Sequence, residues 1–495
     1  MSETASISPS DSYSPEEINT SARLPLVVLF VSAALWLVLS SVLSLLASIK
    51  LHNPHFLASA AWLTFGRVRP AANDAFLNGF CIQAGLGVSL WLLARLGGPR
   101  FVQPILALVG AKLWNLGLTL GMIGIFIGDA TGFENFEMPR YAALFLFLGF
   151  AVMALYGLLT FHERVRRETY VSQWFILAAL FWFPWIFSSA ALLLLIYPVR
   201  GMAQAVITWW YSNNLQTVWL GLVGLAAIHY FTSKLTRSNL RSRPLALVTF
   251  WLFMICASWY GIPNSAPVPA WVPTISNVFA LLLVIPLIAV GLNIYGTTRK
   301  LFPSPYPSQP TGTGLEGDLP VTLLFFESAA LLAFLIVGTL GIQSALRLGW
   351  MPDLDLTLFS AAKGVLNGYG FFAMAIFGAL YYIVAGLFPG QKLSPKLVRW
   401  HFLATVAGVV FTVLPYGMAG FFQSWLLQHS KGGFLSVMNT EKIFLRGSTI
   451  GDLLFVVAAA LFLVNIGGLV FRFYRLRAVT AYQEATASVS VGVRP

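Results

Sequence analysis

The sequence predicts an all-α protein that crosses a membrane about twelve times. Three observations carry that expectation. Of the 495 residues, 58% are hydrophobic and only 10% are charged, with a mean hydropathy of +0.77, whereas an ordinary soluble chain is about 25% charged. The apolar residues gather into runs of about 20, long enough for a helix rising about 1.5 Å per residue to cross roughly 30 Å of hydrocarbon. The Lys and Arg residues fall mostly in the short segments between those runs.

Residues 1–23 are Ser-rich and carry Glu3, Asp11, Glu16 and Glu17. That is the wrong charge for the start of a signal peptide, and the apolar run that follows is too long for one. A disordered cytoplasmic tail and then a retained first span are expected. Spans follow near 25–47, 73–95, 102–127, 141–160, 172–196, 205–231, 244–261, 272–295, 320–345, 358–387, 400–425 and 450–471. They place one membrane domain at 24–475 and a cytoplasmic C-terminal tail at 476–495. Asp74, Lys112, Glu327, Lys363 and Asp452 lie within or at the ends of spans, where ionisable groups usually face a protein interior or water. The linker 297–319 is rich in Pro and Gly and separates eight spans from four, so the chain does not divide into equal halves.

A net charge of +12 would suggest nucleic acid as the partner of a soluble protein. Here the cations set topology instead. With both termini cytoplasmic, 19 of the 30 Lys and Arg residues lie inside and 9 outside, Lys112 and Lys363 being in spans. The asymmetry predicts an N-in, C-in chain with membrane lipid, not nucleic acid, as its surroundings. Cys81 and Cys256 both fall in apolar spans without a Cys-x-x-Cys motif, so they are expected to be packing residues.

Several stretches then recur in a familiar order: Trp62-Leu63-Thr64-Phe65-Gly66-Arg67-Val68-Arg69-Pro70, Gln173-Trp174-Phe175, Trp209-Trp210-Tyr211-Ser212-Asn213-Asn214, Thr249-Phe250-Trp251, Pro269-Ala270-Trp271, Asp355-Leu356-Thr357, Gly378-Ala379-Leu380-Tyr381 and His401-Phe402. Together they resemble the catalytic subunit I of the C-type (cytochrome cbb type) haem-copper oxidases over roughly residues 55 to 425. The resemblance implies a twelve-helix bundle, two haems, one copper and c-type cytochrome partners in a bacterial cytoplasmic membrane.

It also implies six histidine ligands, and at none of their positions does this chain have a histidine. The low-spin haem ligand after the Gly-Arg-x-Arg-Pro turn falls at Ala71-Ala72, with Ala72 in its place. The His-x-His of the tenth span falls on Ser360 and Ala362. Copper's first ligand falls on Asn213, and its adjacent pair falls near Pro263 and Asn264, in a turn two residues short. The tyrosine that the family modifies covalently is replaced by Ala257. Alanine offers no donor atom and an amide is a poor ligand for haem iron or copper, so no haem or copper is expected.

The six remaining histidines do not rebuild a clamp. His52 and His55 flank Pro54 in a predicted loop, His162 sits in a basic loop, His229 reads as an interface anchor, His401 matches a non-ligand position and His429 lies in an outside loop. Lys363 adjoins an emptied position, and Asp74 lies two residues beyond another. A polar cluster of Asp74, Asn213 and Lys363 is expected to satisfy the emptied core. Lost haems leave several hundred Å³, and at about 24 cal/mol per Å³ an empty hole costs on the order of 10 kcal/mol. Inward collapse of aromatic residues is the expected filling, with a lipid tail or a quinone as the other.

The leading functional expectation is a metal-free subunit I homologue with a structural or coupling role in a respiratory complex. The alternatives are an active cbb-type terminal oxidase or nitric oxide reductase subunit, and a secondary transporter. No six-plus-six repeat supports the last. No Walker loop, His-Glu-x-x-His or Gly-x-Ser-x-Gly suggests a hydrolase.

Overall fold

Lipid offers backbone N–H and C=O groups no partners, so an open chain can cross it only as helices that satisfy themselves. The computed structural model describes residues 13–101, 103–262, 266–299, 317–346, 354–429 and 433–491. Among them are twelve long helices and no strand: α1 (Pro15–His52), α2 (Phe65–Gly97), α3 (Pro104–Ile127), α4 (Arg140–His162), α5 (Val171–Ile196), α6 (Met202–Leu235), α7 (Arg243–Trp259), α8 (Trp271–Thr298), α9 (Leu319–Leu346), α10 (Leu358–Leu387), α11 (Pro395–His429) and α12 (Phe434–Val491). Each expected span lies on one of them. Eleven are long and apolar enough to cross a membrane, and α7, at 17 residues, is the short one.

The bundle is built around α2, α6 and α10. In their most apolar stretches 100%, 89% and 94% of residues are buried, against 50% or less in the other long helices. The outer helices pack in arcs: α11, α12 and α1 on one side, α3, α4 and α5 on another, α7, α8 and α9 on the third. Small residues let α3 and α4 approach closely, since a Cβ added at Gly149 would lie 2.7 Å from the backbone nitrogen of Trp114. α8 is broken at Leu283, where Pro286 cannot donate to the carbonyl one turn back.

Two boundaries differ from the expectation. Residues 15–23, expected in a tail, are helical, because Ser14 and Glu17 close a capping box around Pro15. Asn19 and Arg23 of this segment donate to the terminal carbonyls of α10 at Gly386 (3.1 Å) and Leu387 (2.7 Å). The last helix starts at Phe434 and runs well beyond the apolar stretch at 450–471. Of the 297–319 linker, residues 300–316 lie outside the described residues.

Each central helix loosens into π-helical turns, at Ala75–Ile82 in α2, Asn214–Trp219 in α6 and Leu366–Ala373 in α10. Such turns are uncommon and cluster at functional sites. Each begins within a few residues of Ala72, Asn213 or the Ser360/Ala362 pair.

Candidate functional site

On α6 and α10 the residues beside the π-helical turns face a common chamber of about 370 Å³. Asn213, Gln216 and Thr217 come from α6, Ser360, Lys363, Gly364 and Asn367 from α10, and Phe334 and Val337 from α9. Tyr260, Gly261 and Ile262 follow α7, and Ser276 and Asn277 belong to α8. The Asn213 amide is held at both ends: its nitrogen donates to Ala257 O (2.9 Å), and its oxygen accepts from Thr217 (3.0 Å). Gly261 lies against it with φ of +111°, and a Cβ there would stand 2.6 Å from Asn213 Cγ, so both backbone shape and space require glycine.

Ser360 and Ala362, two residues apart, point to opposite sides of α10. Ser360 lines the chamber, whereas Ala362 is buried against Tyr416 of α11 and Leu445 of α12. Ala72 is buried in the main core, its carbonyl taking a hydrogen bond from Ser40 of α1 (2.8 Å). Between α2, α10 and α12 the space is occupied by a three-ring stack. Phe76 lies 4.2 Å from Tyr369, and Tyr369 lies 4.0 Å from Phe455. Gly368 admits the Phe76 ring, since a Cβ there would come within 2.7 Å of it.

Of the expected cluster of Asp74, Asn213 and Lys363, Asp74 turns to its own helix. Asp74 Oδ1 accepts from Asn78 on its own helix (2.6 Å), and Oδ2 receives no hydrogen bond. Lys363 instead lines the chamber together with Asn213, its ammonium 5.8 Å from the centre of the Phe359 ring. Pro263 and Asn264 lie outside the described residues.

Sequence reasoning missed two acids: Glu134, which lines the chamber, and Glu137, which reaches its wall through hydrogen bonds. Glu137, in the connection between α3 and α4, is buried, and Asn73 donates to it at 3.0 Å. The same Asn73 amide bonds Asn135, which bonds Ser212 on the chamber wall (3.1 and 3.0 Å). Burial, the largest cause, pushes the Glu137 carboxyl up to about 7. Inward collapse of aromatic residues was expected, but its rings were not named, although Phe76 stands four residues after Ala72 and Tyr369 seven after Ala362, on the faces those positions share.

Among the described residues no three of His, Cys, Asp and Glu come close enough to hold a metal ion. His229 is a core residue and not an interface anchor: it is fully buried, stacks on Phe175 (5.5 Å) and holds Leu225 O at 2.7 Å. His401 is equally buried, with the Tyr381 hydroxyl 3.0 Å from Nδ1. His52 ends α1 and meets Thr449 (3.1 Å), His162 ends α4 exposed, and His429 ends α11 against Trp425. These histidines lie on different helices at different depths.

The sequence model of the family described as Cytochrome C and Quinol oxidase polypeptide I matches residues 25–454. The chain belongs to that family. Among curated relatives, it is 24% identical over 94% of its length to the "cytochrome c oxidase subunit 1 homolog, bacteroid" of Bradyrhizobium diazoefficiens, covering 83% of that protein. It is 23% identical over 83% of its length to the "cytochrome c oxidase subunit 1 homolog" of Azorhizobium caulinodans, covering 74% of it. It is 23% identical over 77% of its length to the "Cbb3-type cytochrome c oxidase subunit CcoN1" of Stutzerimonas stutzeri, covering 80% of it. The protein is thus a cytochrome c oxidase subunit I-like, multi-pass membrane protein.

The haems and copper of the oxidase polypeptide I family do not fit the residues present. Among the described residues no His, Cys or Met lines the chamber, and copper or haem iron held by amides, hydroxyls, the Glu134 carboxylate and one ammonium lacks the imidazole or thiolate it requires. Between α2, α10 and α12, near Ala72 and Ala362, the space is filled by stacked rings.

Proposed function

We propose that this subunit I-like protein has lost its redox centres and serves as a structural or coupling subunit of a respiratory complex. It sits in a bacterial cytoplasmic membrane with both termini in the cytoplasm and c-type cytochrome subunits as partners. Ala72 and the Ser360/Ala362 pair replace the haem ligands, and Asn213, Pro263 and Asn264 the copper ligands. One observation supports this most strongly. The three buried helices keep π-helical turns beside Ala72, Asn213 and the Ser360/Ala362 pair, while the side chains at those positions offer metals nothing. A helix geometry that is uncommon and locally unfavourable has outlasted the ligands it would have positioned.

In this reading the chain carries out no oxygen chemistry, and its own residues do two things. The aromatic stack holds α2, α10 and α12 together, and the hydrogen-bonded amides at the α6–α7 junction keep the chamber's shape. Purification from native membranes in mild detergent tests the role. A c-type cytochrome is expected in constant stoichiometry with the chain. A chain that elutes alone, even after chemical cross-linking in the membrane, contradicts a role in a respiratory complex.

A further inference from the structure

Of the ionisable residues in the spans, Asp74, Glu327 and Asp452 are buried and Lys363 lines the chamber, whereas Lys112 of α3 is exposed on the outside of the bundle. Among the described residues it has no hydrogen bond or ion pair. Lys112 stands eight residues after Pro104 in a helix of 24 residues, so at about 1.5 Å per residue it lies about 6 Å from the middle of α3. In a hydrocarbon layer about 30 Å thick centred on the helix, the nearer edge is about 9 Å away, and a lysine stem reaches roughly 6 Å. The ammonium therefore ends in hydrocarbon, where an unpaired charge is costly. Nor is α3 free to turn it inward. Half-buried Asn115 accepts a hydrogen bond from Trp36 of α1 (2.9 Å) and donates one to Gln83 of α2 (2.6 Å). On another flank, a Cβ at Gly117 would stand 3.0 Å from Leu146 N of α4. These contacts fix which face of α3 looks outward.

We propose that this face of α3 seats a transmembrane helix of a partner chain that carries an Asp or Glu at the depth of Lys112. The inference deepens the reading of the chain as a subunit of a complex, on which it rests, by naming the face and the chemistry of the contact. Ile105, Val109, Lys112, Leu116, Thr119 and Ile123 are all exposed and recur at alternating steps of four and three residues, the spacing of a seam between two helices. Thr119 satisfies its hydroxyl on Asn115 O (2.8 Å), which leaves Lys112 as the group in this seam that wants a partner. One lysine in a seam specifies register and partner at a cost in stability, and a carboxylate opposite it offsets that cost. A second copy of this chain does not supply the carboxylate, because Asp74, Glu327 and Asp452 are buried. A phospholipid head stays at the interface, and the lysine stem stops short of it.

Native membranes treated with dicyclohexylcarbodiimide test the pairing. The reagent enters lipid and activates a buried carboxyl, and an adjacent amine then forms an amide with it as dicyclohexylurea leaves. Mass spectrometry of the digest is expected to find Lys112 joined to an Asp or Glu inside an apolar run of a second chain, and to find no such product in Lys112→Met. Recovery of that second chain with the purified protein should fall at least about tenfold in Lys112→Met and in Lys112→Glu and persist in Lys112→Arg. It should return when Lys112→Glu is combined with Lys at the partner's acid. Phe181→Leu, exposed on α5, should change nothing, and size-exclusion profile and circular dichroism of the chain should be the same throughout. No second chain joined to Lys112, or undiminished recovery of every co-purifying chain in Lys112→Met, overturns the proposal. Loss from Lys112→Met of a bound anionic phospholipid alone also overturns it and assigns the lysine to a headgroup. If a c-type cytochrome co-purifies undiminished with Lys112→Met, the docking face falls and the respiratory complex stands. If the chain joined to Lys112 carries no haem c, the face stands and the cytochrome partnership falls.

Discussion

Tyr369 is the residue through which the closing of the bundle between α2, α10 and α12 can be measured. Its ring is stacked on both faces, against Phe76 at 4.2 Å and Phe455 at 4.0 Å. Each such pair contributes about 0.5–1.5 kcal/mol beyond burial. Cutting the side chain to Ala leaves a hole of about 100 Å³, which at about 24 cal/mol per Å³ costs roughly 2–3 kcal/mol. Tyr369→Ala is therefore expected to destabilise the bundle by about 3–5 kcal/mol. The hydroxyl behaves oppositely. It has no hydrogen-bond partner, so Tyr369→Phe should stay within about 1 kcal/mol of the parent or gain stability. Reversible unfolding in mixed micelles by sodium dodecyl sulfate, followed by circular dichroism, gives both values. A loss below about 1 kcal/mol for Tyr369→Ala, or equal losses for the two variants, would refute the argument that this stack fills an emptied space.

Other expectations follow from individual contacts. The raised carboxyl of Glu137 means that the folded chain holds this proton more tightly than the unfolded chain does, so its contribution to stability is full below pH 4.5 and is lost as pH rises to about 7. The unfolding free energy should fall more steeply across that window in the parent than in Glu137→Gln, by a difference on the order of 3 kcal/mol, and identical pH profiles would count against it. Gly149→Leu must force α3 away from α4 at the Trp114 backbone, at a cost of about 1–3 kcal/mol or more, and a variant as heat-stable as its parent would contradict that packing. Arg23→Ala removes the hydrogen bond to Leu387 O and the contact with the Phe473 ring (4.9 Å). Hydrogen exchange in residues 15–23 should accelerate selectively, and uniform protection would show that this arginine does not pin that segment.

Hydropathy alone located the membrane helices, because each run of about 20 apolar residues has few ways to satisfy its backbone in lipid. What it missed lay outside the lipid. Ser14-Pro15-Glu16-Glu17 is a capping signature that begins α1 in polar sequence, well before the apolar run at 25. The end of α6 at Leu235 rather than near 231 turned His229 from an expected interface residue into a buried one. Emptied ligand positions could be named by resemblance, but their surroundings depend on helix rotation. Ser360 faces the chamber while Ala362 faces α11 and α12. Asp74 found its donor one turn along the same helix, at Asn78, where local geometry outcompetes a lysine on another helix. The path from Glu137 through Asn73 and Asn135 to Ser212 joins a loop to two helices far apart in sequence, and no local pattern announces it. π-helical turns leave no compositional mark in these spans.

The central claim is that a subunit I bundle persists here without the imidazoles that hold its redox centres. An absorption spectrum of the purified chain, with a pyridine haemochrome assay and copper determination on the same sample, tests it most directly. The account predicts no Soret band and neither haem nor copper in stoichiometric amount. Haem or copper bound at one or more per chain would contradict it.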